Sequence, residues 1–151
     1  MMIEIIEKLE YYLKTIPGKV LEIEDTSVNH KPGPEKWSKK EILGHLVDSA
    51  INNLQRLICV QYEPGVKIVY DQDQWVKIQN YQALDIESVV ELWYIMNQQF
   101  IRIVKSFPSE KINLKIDTGK EKAEILTAEF LIGDYLAHME HHLKQIFGSL
   151  D

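Results

Sequence analysis

The sequence predicts an all-α fold, a four-helix bundle with long crossover loops and a small β-hairpin before the last helix. Four segments place apolar residues at the three- and four-residue spacing of amphipathic helices. Capping residues, prolines and glycines mark the ends of these segments. The chain has 151 residues and a hydrophobic content of 45%, which fits one domain spanning residues 1–151. Four such helices bury their apolar stripes against each other in a bundle.

The composition argues against several classes of protein. The formal net charge is −6, whereas a nucleic-acid surface normally carries clustered lysine and arginine. No run of about 18 apolar residues occurs, and the first residues lack the pattern of a signal peptide. We therefore expect a cytoplasmic protein that binds neither nucleic acid nor membranes. The single cysteine, Cys59, cannot form an internal disulfide, and its place in a helical pattern predicts a small buried residue.

The first predicted helix spans residues 3–16, because apolar residues keep helical spacing until Pro17 and Gly18. Residues 20–37 follow with several prolines and glycines and few periodic apolar positions. This composition predicts an irregular crossover.

The second predicted helix has two faces of different character. Ser38 and Glu41 match a capping box, so the helix should begin there and run to about Tyr62. Apolar residues occupy half of its circumference. A separate polar column, at spacings of four, three and four, comprises His45, Ser49, Asn52 and Arg56. Because the column contains neither Glu nor Lys, the usual residues of a solvated face, it is more typical of a cleft wall than of a wet surface.

Two long connections follow. Residues 66–84 form the first, and because loops of this length are usually functional or disordered, its aromatic residues, Trp75 among them, favour an ordered one. The third helix should span about residues 85–107. Residues 112–126 then alternate apolar and polar side chains around a turn, which predicts the hairpin.

The last predicted helix begins at the N-cap Thr127 and carries three histidines. At roughly 100° per residue, His138 and His142 project within about 40° of each other, while His141 points away and should be exposed. The pair borders the apolar stripe, where a charged imidazolium is disfavoured. Such a pair is either solvated or hydrogen-bonded, or it binds one divalent ion, and an ion would need a third ligand from another helix. His45 is the candidate.

Two stretches resemble the signature segments of the DinB/YfiT superfamily. They are residues 37–49, WSKKEILGHLVDS, and residues 138–146, HMEHHLKQI. The resemblance in element order covers nearly the whole chain. It implies a four-helix bundle, often a homodimer, with a divalent metal ion, commonly nickel or zinc, held by one histidine of the second helix and two of the last. The matching positions are His45, His138 and His142.

The resemblance also implies classes of function. Members include transferases and isomerases that use low-molecular-weight thiols such as bacillithiol or mycothiol, and many others are called metal-dependent hydrolases. Three protein ligands leave coordination positions open, as in catalytic sites. We expect a metal-dependent enzyme acting on a small molecule, either a hydrolase or a thiol-dependent S-transferase with a thiol cosubstrate. The alternative is a non-catalytic metal-binding stress-response bundle that acts through dimerisation.

In such an enzyme the polar column and the first long connection would provide the substrate contacts. Asn52 and Arg56 would hold an anionic part of the substrate, and Trp75 would cover the pocket. For Trp75 the alternative is packing on the outside of the bundle, and Asp48 either orients a ligand or faces water. For Arg56 the alternative is a salt bridge across the bundle, to Asp71, Asp73 or Glu91.

Overall fold

The computed structural model describes residues 1–150 and places four long helices in a bundle, with shorter elements in the connections. In chain order the elements are α1 (Met2–Leu21), α2 (Asp25–Asn29), α3 (Lys39–Cys59), α4 (Gln72–Gln79), α5 (Ile86–Lys105), β1 (Lys115–Asp117), β2 (Ile125–Thr127) and α6 (Ala128–Phe147). Short 3₁₀ turns lie at Tyr81–Ala83 and Ser109–Lys111. The predicted four-helix bundle with a hairpin before its last helix is confirmed.

The bundle is arranged so that α3 and α1 each pack against both α5 and α6. Helices α1 and α3 therefore occupy opposite corners, and the apolar stripes of all four helices meet between them. In the centre, the rings of Phe100 and Tyr135 stack with centroids 3.9 Å apart, and the Tyr135 hydroxyl donates to Asn97 Oδ1 at 2.6 Å. None of the helices within residues 1–150 combines the length and the apolar character needed to cross a bilayer.

Side-chain caps set the starts of three bundle helices at the predicted positions. Ser38 Oγ accepts the Glu41 N–H at 3.1 Å, and Glu41 Oε1 accepts the Ser38 N–H at 3.1 Å, which completes the predicted capping box. Asp85 caps α5 and Thr127 caps α6, each by accepting an N–H from the first turn. Each cap satisfies a backbone N–H group of the first turn and so determines where its helix begins.

Three local predictions are wrong. Helix α1 continues through Pro17 to Leu21, although a proline inside a helix costs about 3 kcal/mol. The added turn buries Val20 in the core, and this burial offsets part of the cost. The crossover is less irregular than predicted, because α2 forms there and buries Val28. Cys59 is only half-buried.

The first long connection is ordered, as predicted, and it packs closely on α3. Asp71 caps α4, and Asn80, in the left-handed region at φ 48°, ends it. Tyr81 is then buried against α3, where its hydroxyl donates to Asp48 Oδ1 at 2.6 Å. A Cβ atom on Gly44 would lie 2.2 Å from the Tyr81 ring. The close approach of this connection to α3 therefore requires glycine at position 44.

The hairpin before α6 also fixes the start of the first long connection. Strands β1 and β2 pair antiparallel and are joined by residues 118–124, a longer loop than a tight turn. Asp117 Oδ1 stabilises this loop by accepting N–H groups from Gly119 and Glu124. The Ile68 N–H donates to the Asp117 carbonyl at 3.0 Å, so residues 66–68 run alongside β1.

Replacing Gly44 with alanine should destabilise the protein. The new methyl group would overlap the Tyr81 ring, and overpacking of this kind costs about 1–3 kcal/mol. The matched control is Gly18→Ala in α1, where a Cβ meets nothing within 4 Å and where alanine should stabilise the helix by about 0.5–1 kcal/mol. Urea unfolding of both variants measures the two effects. A Gly44→Ala protein as stable as Gly18→Ala would contradict the packing described for Tyr81.

Candidate metal centre

Three histidine rings converge where α3 packs against α6. His45 Nε2 lies 3.0 Å from His138 Nε2, and His142 Nε2 lies 3.1 Å from the same atom. His45 comes from the polar column of α3, whereas His138 and His142 are one turn apart on α6. The packing of the two helices therefore brings together three side chains that are up to 97 positions apart in the sequence.

The geometry of these nitrogens fits one shared divalent ion. Nitrogen ligands bind zinc at about 2.0–2.1 Å, so two ligands of one ion can be at most about 4.2 Å apart. The two separations of 3.0 and 3.1 Å satisfy that limit, and the three ligand atoms all lie within 4.8 Å of one another. Imidazole nitrogen suits zinc and nickel alike.

The environment keeps all three imidazoles neutral, as metal binding requires. Burial, with added repulsion from His138 and His142, lowers the pKa of His45 to about 3. Burial, with added repulsion from His142 and His141, lowers the pKa of His138 to about 4. Burial is also the main cause that lowers the pKa of His142. At neutral pH each ring therefore offers an uncharged nitrogen.

The outer nitrogens of the three rings have different partners. His142 Nδ1 lies 2.8 Å from Gln145 Oε1, and His138 Nδ1 lies 3.5 Å from Ser49 Oγ. His45 Nδ1 is buried and has no hydrogen-bond partner among residues 1–150. His141 is exposed, as predicted.

Trp37 forms one wall of the centre. Its ring centroid lies 4.9 Å from that of His45 and 6.5 Å from that of His142. A cavity of about 350 Å³ adjoins this wall and is lined by Pro32, Glu35, Lys36, Trp37, Ile42, Gln72, Asp73 and Gln145. A second cavity of about 600 Å³ shares Trp37, Glu35 and Asp73 with the first. Small-molecule sites commonly have volumes of about 300–1,000 Å³, so the space beside Trp37 is large enough for a ligand, although none of the three histidines lines either cavity.

The polar column of α3 is buried, which rules out a wet face. Ser49, Asn52 and Arg56 are 2%, 3% and 9% exposed. The Asn52 side-chain amide donates to the Asp48 carbonyl one turn earlier at 2.9 Å. Beyond His45, the column therefore contacts the protein's own backbone and neighbouring side chains.

Arg56 binds the first long connection. Its Nε and Nη2 donate to the Ile68 carbonyl at 3.1 and 2.8 Å, and its Nη1 donates to Asn53 Oδ1 at 3.2 Å. The guanidinium also lies 5.7 Å from the centroid of the Tyr70 ring. The predicted salt bridge to Asp71, Asp73 or Glu91 is wrong, since Arg56 forms no ion pair within residues 1–150. These contacts favour a scaffold role over the predicted substrate role.

Asp48 and Trp75, two residues with predicted ligand contacts, instead contact other parts of the protein. Asp48 does not face water: it is fully buried and accepts hydrogen bonds from Tyr81 and from Gln79, and burial raises the pKa of its carboxyl group. Trp75 is half-buried and meets the Tyr70 ring edge-on at 5.8 Å. This contact favours the packing alternative for Trp75.

The sequence reasoning missed Trp37 and Gln145, and each had a local signal. Trp37 immediately precedes the capping box, so its side chain enters the space beside the first turns of α3. Gln145 follows His142 by three positions, a spacing that brings side chains together on a helix surface.

Comparisons with known proteins agree with the fold and identify relatives that are named as metal-dependent hydrolases. The family model described as the DinB superfamily matches residues 11–146. A relative from Oceanobacillus iheyensis, named "Putative metal-dependent hydrolase OB0413", is 22% identical over 144 residues, which cover 95% of this chain and 82% of that protein. A Bacillus subtilis relative, named "Putative metal-dependent hydrolase YfiT", is 22% identical over 112 residues, which cover 73% of this chain and 62% of that protein.

One solved structure has the same fold over nearly the whole chain. It is described as "YfiT from Bacillus subtilis is a probable metal-dependent hydrolase with an unusual four-helix bundle topology". The superposition has a TM-score of 0.80 at 20% sequence identity and covers 95% of this chain and 84% of that one. At this identity the likeness establishes the shared fold, and the chemistry has to be argued from the site.

Acid should destabilise the metal-free protein through its buried histidines. Their native pKa values lie below the ordinary value of about 6.5, so the unfolded chain binds more protons between about pH 6.5 and pH 4. Stability should fall as the pH drops through this window, by about 1.4 kcal/mol per pH unit for each such histidine. Urea titrations of chelator-treated protein measure this slope.

The control for the acid experiment is His45→Leu, which removes one titrating group. The slope of the unfolding free energy against pH should fall by the contribution of one histidine. Asp48, whose raised pKa acts in the opposite direction, is present in both proteins, so its contribution cancels. Equal slopes in the two proteins would contradict a neutral His45 in the native state.

Arg56→Met should lower stability without changing metal content. The substitution keeps much of the stem but leaves the Ile68 carbonyl without its donors, at a cost of about 1–3 kcal/mol. Arg102→Met, at an exposed position of α5, is the control and should change stability by less than about 0.5 kcal/mol. Unchanged stability of Arg56→Met with lost binding of a substrate would instead assign Arg56 to substrate recognition.

Proposed function

This chain belongs to the DinB superfamily, and on that premise we propose that it is a metal-dependent hydrolase acting on a small molecule. The observation that carries the proposal is the convergence of three neutral Nε2 atoms, from His45, His138 and His142, at separations of 3.0 and 3.1 Å. The names of two relatives, which describe metal-dependent hydrolases, support the same chemistry. The ion would be divalent, with nickel and zinc both compatible with three imidazoles.

The protein's own part in this chemistry is to supply neutral ligands and to limit the approach of solvent. An ion with only three protein ligands keeps positions open and can lower the pKa of a water molecule towards neutrality, which supplies the hydrolytic nucleophile. His45 is completely buried, and Trp37 lies over its ring on the side of the crossover. His138 and His142 are half-buried, so the centre is open on the side of α6.

The substrate would bind in the cavity of about 350 Å³ beside Trp37. Gln145 lines this cavity and also contacts His142, so a molecule bound here would be one side chain away from a proposed metal ligand. Glu35, Lys36 and Asp73 contribute charged groups to the cavity wall. These residues replace Asn52, Arg56 and Trp75 as the proposed substrate contacts, since the latter three do not line this cavity.

Metal removal should abolish the activity, and each of the three histidines should be required. Loss of a residue that hydrogen-bonds to a metal ligand typically weakens metal binding about 10- to 100-fold. Loss of a ligand itself should weaken it more, in each of His45→Ala, His138→Ala and His142→Ala. Elemental analysis gives the metal content, and a panel of esters and amides gives hydrolysis. His30→Ala, at an exposed position outside the cluster, is the control and should retain both properties.

Three outcomes of that experiment, extended by an assay with a low-molecular-weight thiol and an electrophile, would overturn the proposal. Stoichiometric metal in the His45→Ala protein would remove the third ligand. Metal-dependent consumption of a low-molecular-weight thiol with an electrophile, in the absence of ester or amide hydrolysis, would assign a thiol S-transferase instead. A metal-loaded protein that is inactive in both assays would favour the non-catalytic bundle.

A further inference from the structure

Three neighbouring side chains of α6 form a hydrogen-bonded chain that ends at the metal centre. Gln145 Oε1 lies 2.8 Å from His142 Nδ1, and Gln145 Nε2 lies 3.3 Å from His141 Nε2. The spacings of three and four residues place both histidines within reach of one amide. Gln145 thus contacts a proposed ligand with its oxygen and an exposed histidine with its nitrogen.

The two ends of the amide impose different proton positions on its partners. A carbonyl oxygen only accepts, so the His142 nitrogen facing it must carry a proton and donate. A neutral imidazole has one proton, so a proton on Nδ1 leaves the lone pair on Nε2. That Nε2 is the atom 3.1 Å from His138 Nε2. The contact with Gln145 therefore selects the tautomer of His142 that can bind an ion.

His141 fixes which way the amide points. The Gln145 amino group faces His141 Nε2, which accepts when the proton of that ring is on Nδ1. The reversed amide would place an amino group against His142 Nδ1, and the His142 proton would then move to Nε2, where it would occupy the position of an ion. The hydrogen bond from the Gln145 amino group to His141 Nε2 therefore favours the amide orientation in which the Gln145 oxygen faces His142.

Among the proposed ligands, His142 depends most on such a contact. His45 is completely buried, so packing on all sides fixes its ring, whereas His142 is half-buried. The outer nitrogen of His138 has only the 3.5 Å approach of Ser49. The shortest hydrogen bond to a ligand's outer nitrogen is thus the 2.8 Å contact between His142 and Gln145.

We propose that Gln145 is a positioning residue that holds His142 in its metal-binding tautomer, and that His141 orients Gln145. The inference rests on the metal site of the proposed function, but not on hydrolysis or on a particular substrate.

The experiment compares Zn²⁺ affinity, by competition with a chelator, in the wild type, Gln145→Met and Gln145→Glu. Methionine keeps the length of the side chain but accepts the His142 Nδ1 proton poorly, so the Kd for Zn²⁺ should rise about 10-fold. This is the lower end of the range for residues that contact a metal ligand, because Gln145 is exposed. Glutamate keeps the acceptor and should bind Zn²⁺ at least as tightly as the wild type. Gln98→Met, at an exposed position of α5, is the control and should leave Kd unchanged.

A second readout needs no metal. ¹⁵N chemical shifts of the histidine rings, recorded at about pH 8 to keep the imidazoles neutral, report the tautomer directly. In the metal-free wild type, His142 should carry its proton on Nδ1, and in Gln145→Met it should populate both tautomers. His141→Ala should produce a smaller change in the same direction.

The outcomes separate this inference from the proposed function. Equal Zn²⁺ affinity in the wild type and Gln145→Met, or a Gln145→Glu protein as weak as Gln145→Met, would overturn the role of Gln145 and leave the hydrolase proposal intact. A wild type that binds no divalent metal would contradict the proposed function. In that case the ¹⁵N readout decides whether Gln145 sets the tautomer, and an unchanged His142 tautomer in Gln145→Met overturns it.

Discussion

The structure depends on one constraint, the placement of three uncharged, buried or half-buried imidazoles between α3 and α6, with the Nε2 atoms of His45 and His142 each about 3 Å from that of His138. Burial disfavours charged rings there, and repulsion between the rings adds to that cost, so the pKa values of His45 and His138 are lowered to about 3 and about 4. Neutral rings leave ring nitrogens directed at a common point. A divalent ion would satisfy these nitrogens together, and the proposed metal centre rests on this arrangement.

The surrounding scaffold fixes the helix that presents His45. The capping box at Ser38 sets the start of α3, less than two turns before His45. Tyr81 rests on Gly44, the residue before His45, and hydrogen-bonds Asp48. Two turns beyond, Arg56 holds the connection that runs beside the hairpin. The buried polar groups of α3 thus tie the loops to the helix, while only its first turns contribute to the site.

Local sequence patterns predicted the features of the structure that depend on local interactions, namely the helices and their first residues. Apolar periodicity and capping residues gave the four helices and their starts, and the spacing of His138 and His142 indicated a shared ion. The pairing with His45 needed the family resemblance, because periodicity carries no information about which helix faces which. Tertiary packing explains the errors, since burial of Val20 carries α1 past Pro17.

The partners of Arg56 could not be read from the sequence for a related reason. Its acceptor is a backbone carbonyl, that of Ile68, and every residue has one. Anomalous diffraction at the zinc and nickel absorption edges, from crystals of protein purified without chelator, tests the central claim most directly. The account predicts one divalent ion per chain, in contact with Nε2 of His45, His138 and His142. Metal-replete crystals with no anomalous peak between these histidines, or with the ion bound elsewhere, would contradict it.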